Sequence, residues 1–139
     1  GRGEQLTIYG QPCELVLVKN PAGFRLSLTS FDPTGYATMI AINDAYADGR
    51  DMSWLWDVDF DSLHRQGVAT VSGIRAYDMA LRLQYDEVAV DSVDINISSA
   101  LRRFISRHAS KPKRIYCSYT AMLKLRRLLA SYTSVEEIR

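Results

Sequence analysis

A short acidic segment, residues 42–61, is the most unusual part of the chain, with the sequence INDAYADGRDMSWLWDVDFD. It holds six aspartates against a single arginine, Arg50, together with both tryptophans of the chain, Trp54 and Trp56. Carboxylates at this density could bind a metal ion, act as catalytic acids or bases, or form a docking surface. The aspartates are Asp44, Asp48, Asp51, Asp57, Asp59 and Asp61.

The spacing of these acids does not match the common calcium, nucleotide or hydrolase motifs. A calcium loop of the EF-hand type that began at Asp57 would have Ser62 and Val68 where Gly and Glu are required. Neither GxxxxGK[ST] nor GxGxxG occurs in the chain. His64 has no serine or cysteine elbow beside it, and His108 falls on an apolar helical stripe. We therefore expect no resident metal and no complete hydrolytic triad within this chain.

Length and composition indicate one soluble globular domain. The chain has 139 residues, of which 47% are hydrophobic and 24% charged. No apolar run reaches the roughly 18 residues that span a bilayer, and the first ten residues contain no apolar signal segment. Cys13 and Cys117 lie in separate apolar runs, which predicts two reduced, half-buried thiols. These features favour a cytoplasmic protein without a transmembrane segment.

Although the net charge of the chain is only +1, a span near its end is strongly basic. Between Ala100 and Arg127 there are nine basic residues and no acid, which raises the hypothesis of an RNA-binding domain. Apart from Phe104, which belongs to the apolar stripe, this span has only Tyr116 and Tyr119 as aromatic residues that could stack on bases. It contains no RNA-binding signature. Since most of the charges are predicted on outward helix faces, we expect no nucleic-acid partner.

Strand and helix patterns alternate along the chain. The predicted order is strand, strand, helix, strand, acidic loop, strand, helix, strand, helix, strand, helix. Asn20 and Pro21 suit the cap and first turn of the first helix. Residues 87–90 (EVAV) are predicted as a strand and residues 92–109 as a helix. Alternation predicts residues 54–60 (WLWDVDF) as extended, the alternative being a short helical turn capped by Ser53.

This order predicts an α/β, Rossmann-like fold, with a mostly parallel sheet and helices on both faces. The loops KNPAGF, NDAYADG and SGIR each follow a strand, so they should share one edge of the sheet, where sites of such folds form. Gly73 and Arg75 in the last loop could hold an anion or simply form a turn. Carboxylates are present but a nucleophile and a phosphate loop are not, as expected of a domain that supplies part of a shared site.

Three motifs, in order, resemble the C-terminal domain of MurT-type ligase subunits: LVKNPAGF, NDAYADGRDMSWLWDVDFD and SGIRAYDMALRLQY. The resemblance extends from about Leu15 to the end of the chain. It implies that residues 1–139 are a single C-terminal domain of a larger Mur-ligase-like subunit whose ATP-binding central domain is absent here. The family amidates the D-glutamate α-carboxyl of lipid II with ammonia that a GatD-type glutaminase releases from glutamine. The full enzyme would use ATP and Mg²⁺, whereas the isolated domain should bind no cofactor and be inactive.

The resemblance also implies roles for residues of the acidic segment. Asp51 matches the acidic position that is thought to complete the catalytic triad of the glutaminase, and Asp48 and Asp57 are second choices. Trp54 and Trp56 would anchor the partner interface, or would simply belong to the core. A second hypothesis is a docking module for the glutaminase that contributes no chemistry, and an Asp51→Asn substitution would separate the two.

A further set of residues is implied at the substrate or nucleotide cleft of the closed enzyme. Its members lie at the ends of two predicted strands, where the resemblance places them facing substrate. They are Lys19, Asn20, Pro21, Asn43 and Asp44.

Overall fold

The structure, a computed structural model, describes residues 3–45, 48, 49, 51 and 53–138. In this part of the chain the strands are β1 (Gly3–Ile8), β2 (Gln11–Leu17), β3 (Ala37–Ala41), β4 (Val68–Ser72), β5 (Val90–Asp94) and β6 (Lys113–Cys117). The α-helices are α1 (Pro21–Ser30), α2 (Ala76–Tyr85), α3 (Ile97–Arg107) and α4 (Tyr119–Ile138). Two short 3₁₀ helices, Ser53–Asp57 and Asp61–Leu63, lie between β3 and β4.

The strands form one sheet in the order β1-β2-β6-β3-β4-β5. β1 and β2 pair antiparallel as a hairpin, and every other neighbouring pair is parallel. α1, α2 and the 3₁₀ segment contribute to a core on one face, and α3 and α4 to a core on the other. The predicted α/β fold with a mostly parallel, doubly covered sheet is therefore confirmed, as is the predicted order of elements.

The first helix begins where the sequence indicates. The side chain of Asn20 accepts a hydrogen bond of 2.8 Å from the backbone N–H of Gly23, and Pro21 occupies the first turn. An N-cap of this kind satisfies one of the amide groups that the helix itself leaves unpaired. The cap also fixes the direction of the chain as it leaves the carboxyl end of β2.

The predicted boundary between β5 and α3 is wrong. Residues 92–94 belong to β5 rather than to the helix, which begins only at Ile97. Ser92 donates a hydrogen bond of 3.0 Å to Thr70 on the neighbouring strand, while Asn96 caps α3 by accepting from the N–H of Ser99. Several residues here have side chains that can cap a helix, so local pattern alone did not identify Asn96 as the cap.

Both cysteines are free and fully buried, on neighbouring strands β2 and β6, rather than half-buried as the sequence suggested. Burial raises the pKa of Cys13 from 9.0 to about 11, because the charged thiolate is poorly solvated there. Burial likewise raises the pKa of Cys117. Neither thiol has the exposure or the lowered pKa of a reactive cysteine.

We expect both thiols to react with a disulfide reagent at pH 8 at least about 100-fold more slowly in the native protein than in urea. The free energy of unfolding should also fall as the pH rises above 9.0, because the unfolded thiols then ionise while the buried ones stay protonated. Stopped-flow thiol titration and urea unfolding between pH 7 and 10 measure the two effects. A fast native reaction would contradict the burial of these side chains.

None of the helices in the described residues has both the length and the apolar character that crossing a bilayer demands.

Candidate functional site

The loops that follow β2, β3 and β4 lie at the carboxyl edge of the sheet, as the sequence predicted, because these strands run parallel in one sheet. Asn43 joins the loop after β3 to the residues that follow β4 and β6: its amide oxygen accepts from the N–H of Ile74 at 3.0 Å, and its Nδ2 donates to Oγ1 of Thr120 at 3.2 Å. The backbone N–H of Asn43 also donates to the hydroxyl of Ser118, at 2.9 Å. Asn43 therefore connects the end of β3 to the first residues of both neighbouring loops.

The predicted cleft residues differ in how open they are. Lys19 and Asn20 are exposed at the end of β2, although the amide oxygen of Asn20 is engaged in capping α1. Pro21 is half-buried in the first turn of that helix. Asn43 and Asp44 are half-buried and held by neighbouring residues. Lys19 thus offers the most accessible charge of this group.

Arg75, which immediately precedes α2, pairs with the acidic segment. Its Nε lies 3.1 Å from Oδ2 of Asp44, and its Nη1 donates to Oδ2 of Asp78 at 2.9 Å. Arg75 follows the tight turn at Gly73, and its backbone N–H donates to the carbonyl of Ile42 at 2.9 Å. Two carboxylates therefore share this guanidinium, which explains why the acidic segment can approach the start of α2 without repulsion.

Asp48 fixes the acidic loop to α4. Its carboxylate accepts from the backbone N–H of Thr120 at 2.7 Å and forms a short hydrogen bond with the hydroxyl of the same residue. It also accepts from the N–H of Ala45 at 3.1 Å. A carboxylate at the first turn of a helix pairs favourably with the free amides there. Asp48 therefore acts in this structure as a cap for a helix distant in sequence.

Asp51 is exposed and lies in a different setting. Its Oδ1 accepts from the backbone N–H of Ser53 at 3.0 Å. This bond, then the hydroxyl of Ser53 and, more weakly, the charge of Arg75 lower the pKa of Asp51 below its usual value. Asp51 lines an open cleft of about 260 Å³ together with Ser53, Leu55, Trp56, Arg75 and Asp78. The cleft presents an ionised carboxylate to solvent beside an exposed aromatic ring.

The prediction that residues 54–60 are extended is wrong, because Ser53–Asp57 forms a 3₁₀ helix. Leu55 and Val58 are buried. The cause is Arg82 of α2, whose guanidinium is buried and donates to the carbonyls of both residues. Arg82 is paired with Asp86 at 3.0 Å, and Asp86 in turn accepts from the N–H of Phe60 at 2.7 Å. Arg82 and Asp86 together hold the acidic segment against α2.

Replacing Arg82 with Met should lower the free energy of unfolding by about 2–4 kcal/mol, because two buried carbonyls and Asp86 lose their partner. Urea unfolding measures this loss. The matched control is Arg25→Met: Arg25 is exposed and donates to a single carbonyl, that of Asp57, at 2.7 Å. The control should cost less than about 1 kcal/mol. Equal losses for both variants would contradict the role of Arg82.

The two tryptophans have different environments. Trp54 is half-buried and contacts the edge of Phe24 in the core, with ring centroids 6.3 Å apart. Trp56 is exposed and contacts the edge of Tyr85 at 5.1 Å. Asp57, the other candidate acid, is exposed next to it. Packing against the core therefore explains the presence of Trp54, while Trp56 and Asp57 are accessible to a partner.

The profile of the MurT ligase C-terminal family matches residues 17–122. The chain belongs to the MurT ligase C-terminal family. It is 33% identical over 137 residues to a protein of Streptococcus pneumoniae named lipid II isoglutaminyl synthase (glutamine-hydrolyzing) subunit MurT, covering 94% of this chain and 30% of that protein. A Staphylococcus aureus protein of the same name is 42% identical over 78 residues, covering 53% of this chain and 18% of that protein.

The chain thus spans about 30% of the length of the Streptococcus relative. All the candidate site residues of this MurT C-terminal domain, from Lys19 to Asp78, fall within the matched range. β1, all of β2 before Leu17, and α4 beyond Met122 lie outside it.

The basic span of this MurT C-terminal domain is partly interior, which the sequence did not indicate. Lys113 and Arg114 are buried on β6. Nε of Arg114 lies 2.7 Å from a carboxylate oxygen of Glu14, and its guanidinium lies 3.9 Å from the ring centre of Tyr36. On the surface, Arg126 pairs with Glu4 at 2.6 Å. Lys113 is therefore interior, and Arg114 and Arg126 are paired with carboxylates of the same chain.

Sequence reasoning also missed Arg82, Asp86 and Thr120, which set the shape of the acidic segment. A signal for Arg82 was present, because it lies between Met79 and Leu83 on the apolar face of α2. A charged residue in that position needs a buried partner. No local signal pointed to Thr120, since its contact with Asp48 joins residues far apart in sequence.

Proposed function

We propose that this chain is the C-terminal domain of a MurT-type ligase subunit of a lipid II isoglutaminyl synthase. The complete enzyme would use ATP, Mg²⁺ and ammonia from glutamine to amidate the D-glutamate α-carboxyl of the peptidoglycan stem peptide. A GatD-type glutaminase would release the ammonia while docked on this domain. Family membership and the names of two relatives, both glutamine-hydrolysing synthase subunits, support the proposal.

The proposed contribution to catalysis rests on the environment of Asp51. Asp48 is engaged with Thr120 and Asp44 with Arg75, whereas Asp51 stays exposed at an open cleft. Like any exposed aspartate it is ionised at neutral pH, and the N–H of Ser53 lowers its pKa further. An ionised carboxylate that hydrogen-bonds a partner's histidine holds the imidazole in the correct tautomer and stabilises its charged form. Asp51 would therefore complete the triad of the glutaminase.

ATP and Mg²⁺ would be held mainly outside this domain. The chain has no phosphate-binding GxxxxGK[ST] loop. The residues it does supply fit a supporting role: Lys19 is exposed and could pair with a phosphate or carboxylate, while Asn43 and Asp44 would shape the wall of the cleft. The isolated domain would neither hydrolyse ATP nor form an amide. An enzyme that uses ATP on a lipid-linked precursor would act in the cytoplasm, at the inner face of the membrane.

Reconstitution tests the proposal. The complete ligase subunit, mixed with a GatD-type glutaminase, should amidate lipid II with glutamine, ATP and Mg²⁺ all present, and should stimulate glutamine hydrolysis. Amidation is measured by mass spectrometry and hydrolysis by glutamate release. Failure of the two proteins to bind would contradict the proposal. Binding and amidation that survive loss of the Asp51 charge would instead support the alternative, a docking module that contributes no catalytic group.

A further inference from the structure

The outer face of α2 carries an exposed apolar stripe. Tyr77, Leu81 and Tyr85 recur every four residues and are 64%, 47% and 69% exposed. This spacing places them on one side of the helix. The opposite side, with Met79 and Leu83, is buried in the core. α2 is therefore apolar on two faces, of which the fold covers only one, and exposed apolar patches of this kind commonly mark interaction sites.

Trp56 joins this stripe to the cleft of Asp51. It is 46% exposed and meets the edge of Tyr85 at 5.1 Å, while it also lines the cleft beside Asp51. A second open cavity, of about 390 Å³, lies along α2 and is lined by Leu81, Gln84, Tyr85 and Glu87. Cleft, tryptophan, stripe and cavity are thus continuous. A partner that reaches Asp51 from solvent would also contact the stripe.

The charges around this surface indicate what kind of partner it fits. Asp57 and Glu87 are exposed at its edge, whereas Asp78 there is paired with Arg75. The nearby guanidinium of Arg82 is already paired with Asp86. The surface therefore has an apolar centre and an acidic rim. Two copies related by a two-fold axis would bring like charges together, which disfavours self-association. A partner with an apolar patch flanked by Lys and Arg would be complementary.

We infer that the outer face of α2 together with Trp56 is the docking surface for the glutaminase. This inference rests on the proposed function, and it deepens it by naming the anchors. The aromatic and leucine side chains would enter the partner's apolar patch, as anchor residues do at the centre of protein interfaces. The acidic rim would meet basic residues and accelerate association at low salt.

The test compares Leu81→Ser with Leu26→Ser in the complete ligase subunit. Leu26 is a matched control because it is also an exposed helical leucine, 62% exposed on α1. We expect Leu81→Ser to raise the Kd for the glutaminase about 10- to 100-fold by isothermal calorimetry. Leu26→Ser should leave the Kd unchanged. At saturating partner concentration, the kcat for glutamine hydrolysis should be normal for both variants, since neither residue acts on the reaction.

The outcomes separate this inference from the proposed function. If the wild-type subunits bind and Leu81→Ser binds equally well, the docking surface lies elsewhere while the proposed function stands. If the wild-type subunits do not bind at all, the proposed function fails and this inference with it. If Leu81→Ser instead abolishes self-association in analytical ultracentrifugation without affecting the Kd, a second copy covers the stripe and the inference is overturned.

Discussion

Replacing Asp51 with Asn should lower glutamine hydrolysis by the assembled complex about 10³- to 10⁴-fold in kcat, while the two subunits still bind each other. Asn keeps the shape of Asp51 and can still accept from the N–H of Ser53, so the local turn should persist. It cannot supply the negative charge that stabilises a protonated histidine, and its amide can favour the wrong tautomer. Glutamate release at saturating glutamine, with affinity measured in parallel by calorimetry, tests this expectation.

The matched control for Asp51→Asn is Asp57→Asn. Both carboxylates are exposed and lie in the same acidic segment, so the two variants change the net charge equally. Asp57→Asn should retain glutaminase activity within about threefold, a change that rim charges can cause through association rates. If Asp57→Asn abolishes turnover and Asp51→Asn does not, Asp57 is the triad acid. If neither affects turnover, neither Asp51 nor Asp57 is the triad acid.

Replacing Gly73 with Ala should destabilise the domain by about 4 kcal/mol or more, an exceptional loss for one methyl group. Gly73 has a φ of +94°, and a Cβ added there would lie 2.3 Å from the carbonyl oxygen of Ile42. It would also lie 2.7 Å from the carbonyl carbon of the same residue. Because these are backbone atoms at the end of β3, they cannot rotate away. The turn that places Arg75 against Asp44 would have to move.

The matched control for Gly73→Ala is Gly35→Ala. Gly35 has a similar φ of +83°, but an added Cβ would meet no atom within 4 Å. Its substitution should therefore cost only the strain of the left-handed conformation, about 1–2 kcal/mol. Urea unfolding of the two variants isolates the steric cost. Equal losses would show that conformation alone, and not the close approach of β3, requires glycine at position 73.

Much of the fold can be read from local patterns. Asn20 and Pro21 indicate the start of α1, and the apolar residues of the helices recur at the expected spacing. Since parallel strands bring their carboxyl ends to one edge, the meeting of the loops at Asn43 and Gly73 followed from the order of elements alone. Patterns of this kind depend only on residues close in sequence, so they can be recognised without knowing which distant residues pack against them.

The start of α3 and the shape of the acidic segment could not be read in this way. Alternating apolar residues favoured an extended chain after Ser53. Instead, Arg82 donates hydrogen bonds to the carbonyls of Leu55 and Val58, and Ser53–Asp57 forms a 3₁₀ helix.

The six aspartates of the acidic segment likewise look equivalent in sequence. Thr120 and Arg75 engage Asp48 and Asp44 and leave Asp51 exposed at the cleft. The sequence alone was enough for the family, the element order and the edge where the loops gather. The availability of each carboxylate required the tertiary structure, because it depends on hydrogen-bond partners that lie up to 72 residues away in the chain.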